Sequence, residues 1–212
     1  MVIPREAGRI TYSAEIRRLK TSLHLTEDQK AILIGMILGD GHLAENWSKT
    51  NYRLKVSQSK GQEKYVLWKY QAFRNWVLTE PKLHVSTNSM RFATISHPEL
   101  TYFRNLFYKG KRKIIPINIG DLLSPLTLAV WFMDDGNIRK VAGKVYGYYL
   151  NTHSFSHLEN KRLADNLKRN YGFNCMIIKN HGKYRIYIGS DRKKFADVVG
   201  NNILPTLRYK LG

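Results

Sequence analysis

The sequence predicts an α+β fold: two tandem αββαββα repeats in pseudo-two-fold relation, each supplying one antiparallel sheet. Three observations predict it. Two nine-residue segments, Leu33–Gly41 (LIGMILGDG) and Leu128–Gly136 (LAVWFMDDG), are apolar runs of helical character that each end in Asp-Gly. Asp40 and Asp135 stand 95 residues apart, and a shift of about that length aligns the rest of the chain with itself. Hydrophobic content of 43% and aromatic content of 12% are those of a chain with a core, which excludes wholesale disorder.

The elements follow in order. Residues 1–25 read as a leader, 26–109 as the first half, 110–121 as a connector and 122–212 as the second half. Thr26 can N-cap the first motif helix, with Glu27 and Asp28 in its first turn and Gln29 at the capping-box position. Gly35 and Gly39 each lower helix propensity by about 1 kcal/mol relative to Ala, which makes sense where another backbone comes very close. Ser124 can cap the second motif helix, with Pro125 at its first position and Ala129 on its near side.

Eighteen residues beyond each aspartate, a polar residue ends a strand-like run: Gln58 in YRLKVSQS and His153 in GYYLNTHS. Helical segments follow, 62–78 and 158–171. Strand pairs come next, 82–85 with 91–97 around Asn88-Ser89, and 175–179 with 184–189 around Asn180-His181-Gly182. Second helices span 99–108 and 192–199, and each half closes on an apolar-Pro-basic stretch. Lys113 lies 73 residues after Asp40, and Lys210 lies 75 after Asp135. The connector lacks a Gly/Ser-rich linker, so the halves are expected to pack rather than swing.

The charge is far from ordinary. Against 16 Asp and Glu stand 35 Lys and Arg, a net charge of +19 spread along the chain. That favours a folded surface for a polyanion over a basic arm, and a generic RNA-binding protein is the bland alternative. Cys175 is the single cysteine, which excludes an internal disulfide and a cysteine zinc site. No apolar run nears the roughly 20 residues that span a bilayer. The N-terminus, with Arg5, Arg9, Arg17 and Arg18 beside Glu6 and Glu15, lacks the apolar stretch of a secretory signal. An aspartate at a helix C-terminus is electrostatically unfavourable. Two of them in so basic a chain read as a pair that shares a cation.

The two motifs, their spacing and the two downstream lysines resemble the LAGLIDADG homing endonucleases, specifically the single-chain members with two motif copies. The resemblance implies motif helices packed at the centre of a saddle of two sheets, with duplex DNA along the concave face. It implies that Asp40 and Asp135 bind divalent metal beside the scissile phosphates. Gly39 and Asp134, just before them, fall at the same metal site, Asp134 in a supporting role and on one side only. Lys113 and Lys210 would neutralise phosphate charge or orient the attacking water, and Gln58 and His153 would hold water. The unequal pairs Gly39/Asp134 and Gln58/His153 imply unequal centres. With carboxylate ligands and no Cys or His cluster, the expected ion is Mg2+, with Mn2+ as a substitute.

For recognition, strand residues Arg53, Lys55, Ser57, Arg91, Lys144, Arg185 and Tyr187 are candidates to contact base edges or phosphates. Arg53, Lys55 and Ser57 share one face of a regular strand, which conflicts with Gln58 on the active-site side, so a bulge near Ser57 is expected. The implied activity is site-specific double-strand DNA cleavage by a monomer on a long, non-palindromic target, leaving a staggered break. An intron-encoded, intracellular and organellar protein, in mitochondrion or chloroplast, is implied, with no membrane partner. Two rivals keep the scaffold: a maturase bound to intron RNA, and a non-cleaving DNA-binding regulator.

Overall fold

The computed structural model of the protein describes residues 14–212; Arg5, Glu6 and Arg9 of the leader lie outside the described residues. The chain forms two compact units. One holds the described residues up to Lys30 together with Gly41–Arg104; the other holds Ala31–Asp40 together with Asn105–Gly212.

The first unit contains α1 (Ala14–Ser22), the first turn of α2 (Glu27–Leu38), β1 (His42–Glu45), β2 (Tyr52–Ser59), α3 (Glu63–Ala72), β3 (Lys82–His84), β4 (Ser89–Ala93) and most of α4 (Pro98–Phe107). Its sheet has the antiparallel order β1-β2-β4-β3. β2 alternates as its sequence does: Leu54, Val56 and Gln58 are buried, while Lys55, Ser57 and Ser59 are exposed. Its pairing with β4 runs without a shift from Lys55↔Ala93 to Ser59↔Ser89. The bulge expected near Ser57 is therefore absent, and the conflict resolves because Gln58 points into the unit's interior. Tyr65, Val66, Phe73 and Trp76 are fully buried beneath this sheet. The helix expected over 62–78 stops at Ala72 and gives way to a 3-10 turn, Arg74–Trp76, which seats Trp76 in the core. Helix α1, in the stretch read as a leader, is tied in: His97 donates from Nε2 to Lys20 O at 2.9 Å.

The second unit contains the rest of α2, β5 (Tyr108–Lys109), β6 (Arg112–Lys113), α5 (Ile119–Leu122), α6 (Pro125–Asp135), β7 (Gly136–Val141), β8 (Lys144–Leu150), α7 (His157–Tyr171), β9 (Cys175–Asn180), β10 (Lys183–Ile188) and α8 (Arg192–Gly200), and it ends in a 3-10 segment, Pro205–Lys210. Its sheet order β7-β8-β10-β9 repeats that of the first unit strand for strand. A register shift falls here, between Arg139 and Lys140. Phe132, Tyr148, Phe173 and Phe195 form an aromatic core, with neighbouring centroids 5.2 to 5.7 Å apart. α7 starts on a full capping box between Ser156 and Glu159 and ends on Gly172 in the left-handed region. Each duplicated segment keeps the order αββαββα. The short β5–β6 hairpin is an addition that the sequence did not announce. Among the described residues no helix is long and apolar enough to cross a membrane.

Candidate active site

The site begins with the two motif helices. Thr26 and Gln29 form the expected reciprocal cap of α2, each backbone N–H donating to the other's side chain at 3.1 Å. Ser124 Oγ accepts from Thr127 N at 3.1 Å, and Pro125 opens α6. The second unit shows why α2 carries glycines. A Cβ on Gly35 would stand 2.7 Å from both Thr127 O and Val130 Cβ, and one on Gly39 would stand 2.5 Å from Asp134 Cβ. The helices therefore meet at Gly35, against both backbone and side chain of α6, and at Gly39, against the Asp134 side chain. The facing residues are Thr127, Val130 and Asp134, not Ala129 as expected.

This close approach brings the helix ends together. Asp40 is exposed, Asp135 half-buried and Asp134 buried. Burial, reinforced by the negative charges of Asp40 and Asp134 and opposed by Lys113 and Lys210, pushes the Asp135 carboxyl up to about 7. Each lysine caps a motif helix. Lys113 Nζ donates to Gly39 O at 2.7 Å, and Lys210 Nζ donates to Met133 O at 2.6 Å. A cation on these last carbonyls offsets both the helix dipole and the adjacent carboxylate. Burial draws the Lys113 ammonium below its usual pKa, while Asp135, Asp40 and Asp134 pull it back up. Asp40, Asp135, Asp134, Lys113 and Lys210 thus form one charged group inside the second unit.

Gln58 and His153 each have a side-chain partner within their own unit. Gln58 is buried in the first unit, where its Oε1 accepts from Lys69 Nζ at 3.2 Å. His153 Nε2 lies 3.1 Å from Asn180 Nδ2, and the charges that act on it are Arg185, Lys183 and His181 of the β9–β10 hairpin. With burial, those charges lower its pKa, so it is neutral at physiological pH.

In the first unit, Arg53, Lys55, Ser57 and Arg91 line a groove of ≈ 420 Å³ with Lys82 and His84. Arg91 is pre-ordered there by hydroxyls: Nε donates to Ser89 at 2.9 Å and Ser57 at 3.1 Å, and Nη2 donates to Thr87 at 2.7 Å. In the second unit, Lys144 is exposed, and the Arg185 guanidinium sits 3.8 Å from the centre of the Tyr149 ring. Tyr187 departs from expectation. It is buried, its hydroxyl donates to Tyr146 O at 2.8 Å, and its ring packs against Tyr149 with centroids 5.0 Å apart. It supports the sheet rather than offering a free hydroxyl to DNA. Sequence reasoning passed over Arg139, 5.6 Å over the Tyr187 ring, and Tyr149 itself. The Tyr149↔Tyr187 pairing that links them is visible only once the register is known.

Comparison with known proteins decides the family. The sequence profile of the LAGLIDADG DNA endonuclease family matches residues 30–195. The chain belongs to that family. A probable intron-encoded DNA endonuclease 3 of Mycosarcoma maydis is 33% identical over 126 residues, 57% of this chain and 90% of the relative. The cytochrome b mRNA maturase bI2 of Debaryomyces hansenii is 27% identical over 201 residues, 89% of this chain and 75% of the relative. Among solved structures, the homing endonuclease I-WcaI bound to its DNA recognition sequence superposes with a TM-score of 0.88 at 26% identity, covering 97% of this chain and 96% of that one. The duplicated αββαββα order and the doubled Asp-Gly motif are thus those of a LAGLIDADG endonuclease that carries both copies in one chain.

Proposed function

We propose that the protein is a monomeric, site-specific homing endonuclease that hydrolyses both strands of a long, non-palindromic DNA duplex and leaves staggered ends. The observation that carries this reading is the meeting of Asp40 and Asp135 at the ends of two glycine-packed helices, each end capped by a lysine. The likeness to the DNA-bound I-WcaI supports DNA as the substrate, and so does the net charge of +19.

The donor set fits a hard divalent cation. Asp40 and Asp135 offer carboxylate oxygens, and the charge crowding that raises the Asp135 pKa is what a bound cation relieves. Among the described residues no group of three or more His, Cys, Asp or Glu is arranged to hold a metal alone. One or two carboxylates completed by phosphate oxygens and water is the usual manner of Mg2+, for which Mn2+ substitutes. When bound, such an ion activates water and stabilises the leaving oxygen. The chain's own residues do the rest. Asp40 and Asp135 fix the point of attack, Asp134 and Gly39 shape it, and Lys113 and Lys210 neutralise charge gathering on the phosphate. Arg53, Lys55, Ser57, Arg91, Lys144 and Arg185 hold DNA; Gln58, in β2, and His153, in the turn after β8, hold water. The proposed half boundaries remain 26–109 and 122–212, joined by 110–121 and preceded by 1–25.

Intron encoding is supported by the name of the Mycosarcoma relative, and an organellar setting by the cytochrome b maturase relative. That second relative also supports a reading in which the same scaffold assists splicing of intron RNA. Incubation with Mg2+ and a library of duplex targets, followed by sequencing of broken ends, tests the proposal. Discrete breaks that vanish in Asp40→Asn and Asp135→Asn are expected. Binding or splicing without a break at any target overturns cleavage.

A further inference from the structure

Lys113 is held in place from an unexpected direction. On one side of it Arg112 Nη1 donates to Glu159 Oε2 at 2.9 Å; on the other, Ile115 N donates to Glu159 Oε1 at 3.3 Å. One carboxylate of α7 therefore grips the chain both before and after Lys113, across 44 to 47 residues of sequence. Arg162, one turn further along α7, donates from Nη1 to Ile115 O at 2.5 Å. The remaining edge of the segment is fixed by the β5–β6 pair Tyr108↔Lys113 and by Ile114 N, which donates to Phe107 O at 2.8 Å.

Glu159 is built for this. Its side chain is only 9% exposed, and Ser156 N and Oγ both donate to Oε2, at 2.7 and 2.6 Å. Burial disfavours its charge, but the bonds from Ser156, Arg112 and Ile115 win and hold its pKa below the usual carboxylate range. A helix cap alone needs no partner outside its own first turn. Here the capping carboxylate also reaches the segment that carries Lys113. Lys210 is anchored differently, as the last residue of a 3-10 segment, and Tyr148 donates to the O of Leu211, which follows it, at 2.8 Å.

We infer that Glu159, with Arg112, is a positioning residue for Lys113, so that α7 of the second half sets the geometry of one of the two cleavage centres and not the other. The inference rests on the proposed endonuclease activity and the proposed role of Lys113. Misplacing a charge-neutralising group by about 1 Å costs on the order of 100-fold in rate.

The test is strand-resolved cleavage of a duplex carrying the recovered target, each strand labelled, in Mg2+. Lys113→Met and Lys210→Met first establish which strand depends on which lysine. Glu159→Ala is expected to slow the Lys113-dependent strand roughly 10- to 100-fold. It should accumulate nicked duplex, leave the other strand's rate within about twofold, and leave duplex affinity unchanged. Arg112→Ala, at a side chain 55% exposed and so tolerant of substitution, should slow the same strand should Glu159→Ala fail to fold. Equal slowing of both strands, or no slowing where Lys113→Met slows one, overturns the inference while leaving the endonuclease intact. If Lys113→Met slows neither strand, the role proposed for Lys113 falls and the inference with it.

Discussion

Asp135 is the residue at which stability and chemistry pull apart. Its folded pKa, about 7, lies above the ordinary carboxylate value, so between pH 4 and 7 the folded state binds more protons than the unfolded one. The penalty for ionising Asp135 is absent below the unfolded pKa, grows as pH rises and is complete above 7. Asp135→Asn should therefore raise the melting temperature of the metal-free protein at pH 8, and raise it less at pH 5, while abolishing cleavage. A lower melting temperature at pH 8 would show that the carboxylate is not strained. Mg2+ should stabilise the wild type at pH 8 more than this variant, since the variant has lost the charge that a cation relieves. The charged cluster was legible in the sequence because its members repeat: Asp40 with Asp135, Lys113 with Lys210. Glu159 and Tyr149 were not, because their partners lie dozens of residues away and no repeat marks them.

At the scale of elements, the seam of α2 against α6 is the feature most sensitive to a single carbon. Gly35→Ala drives a Cβ to 2.7 Å from a carbonyl oxygen that cannot move without unwinding α6. The expected loss is about 1–3 kcal/mol, seen as a lower urea midpoint with unchanged slope. An unchanged midpoint would mean that the helices are free to separate. Ser124→Ala, which removes the cap of α6, should cost about 1 kcal/mol in the same titration. Most elements could be read locally from caps, alternation and turn residues. The exceptions have physical causes. The 62–78 segment kept its apolar spacing past Ala72, but burying Trp76 favoured a 3-10 turn there. The bulge expected near Ser57 is unnecessary, because strict two-residue alternation in β2 already puts Gln58 on the face opposite Lys55 and Ser57. Tyr187 looked available because burial of a tyrosine depends on its neighbours across the sheet.

For the whole molecule, the net charge of +19 makes binding a matter of displaced counterions. Contact with about ten phosphates gives a slope near −9 in a plot of log affinity against log salt. A slope shallower than about −3 would refute an extended footprint. The duplication, the fold class and the element order were accessible from the sequence, because each half repeats its turn signals at a common offset, whereas the central pairing of β2 with β4 and of β8 with β10 was not. The division into compact units was not. Asp40 belongs with Asn105–Gly212, and Gly41–Arg104 is a single uninterrupted insertion between them. That arrangement puts the acidic pair and both lysines in one unit and the groove lined by Arg53, Lys55, Ser57 and Arg91 in the other, so substitutions along the groove are expected to change which duplex is preferred and leave the charged group undisturbed.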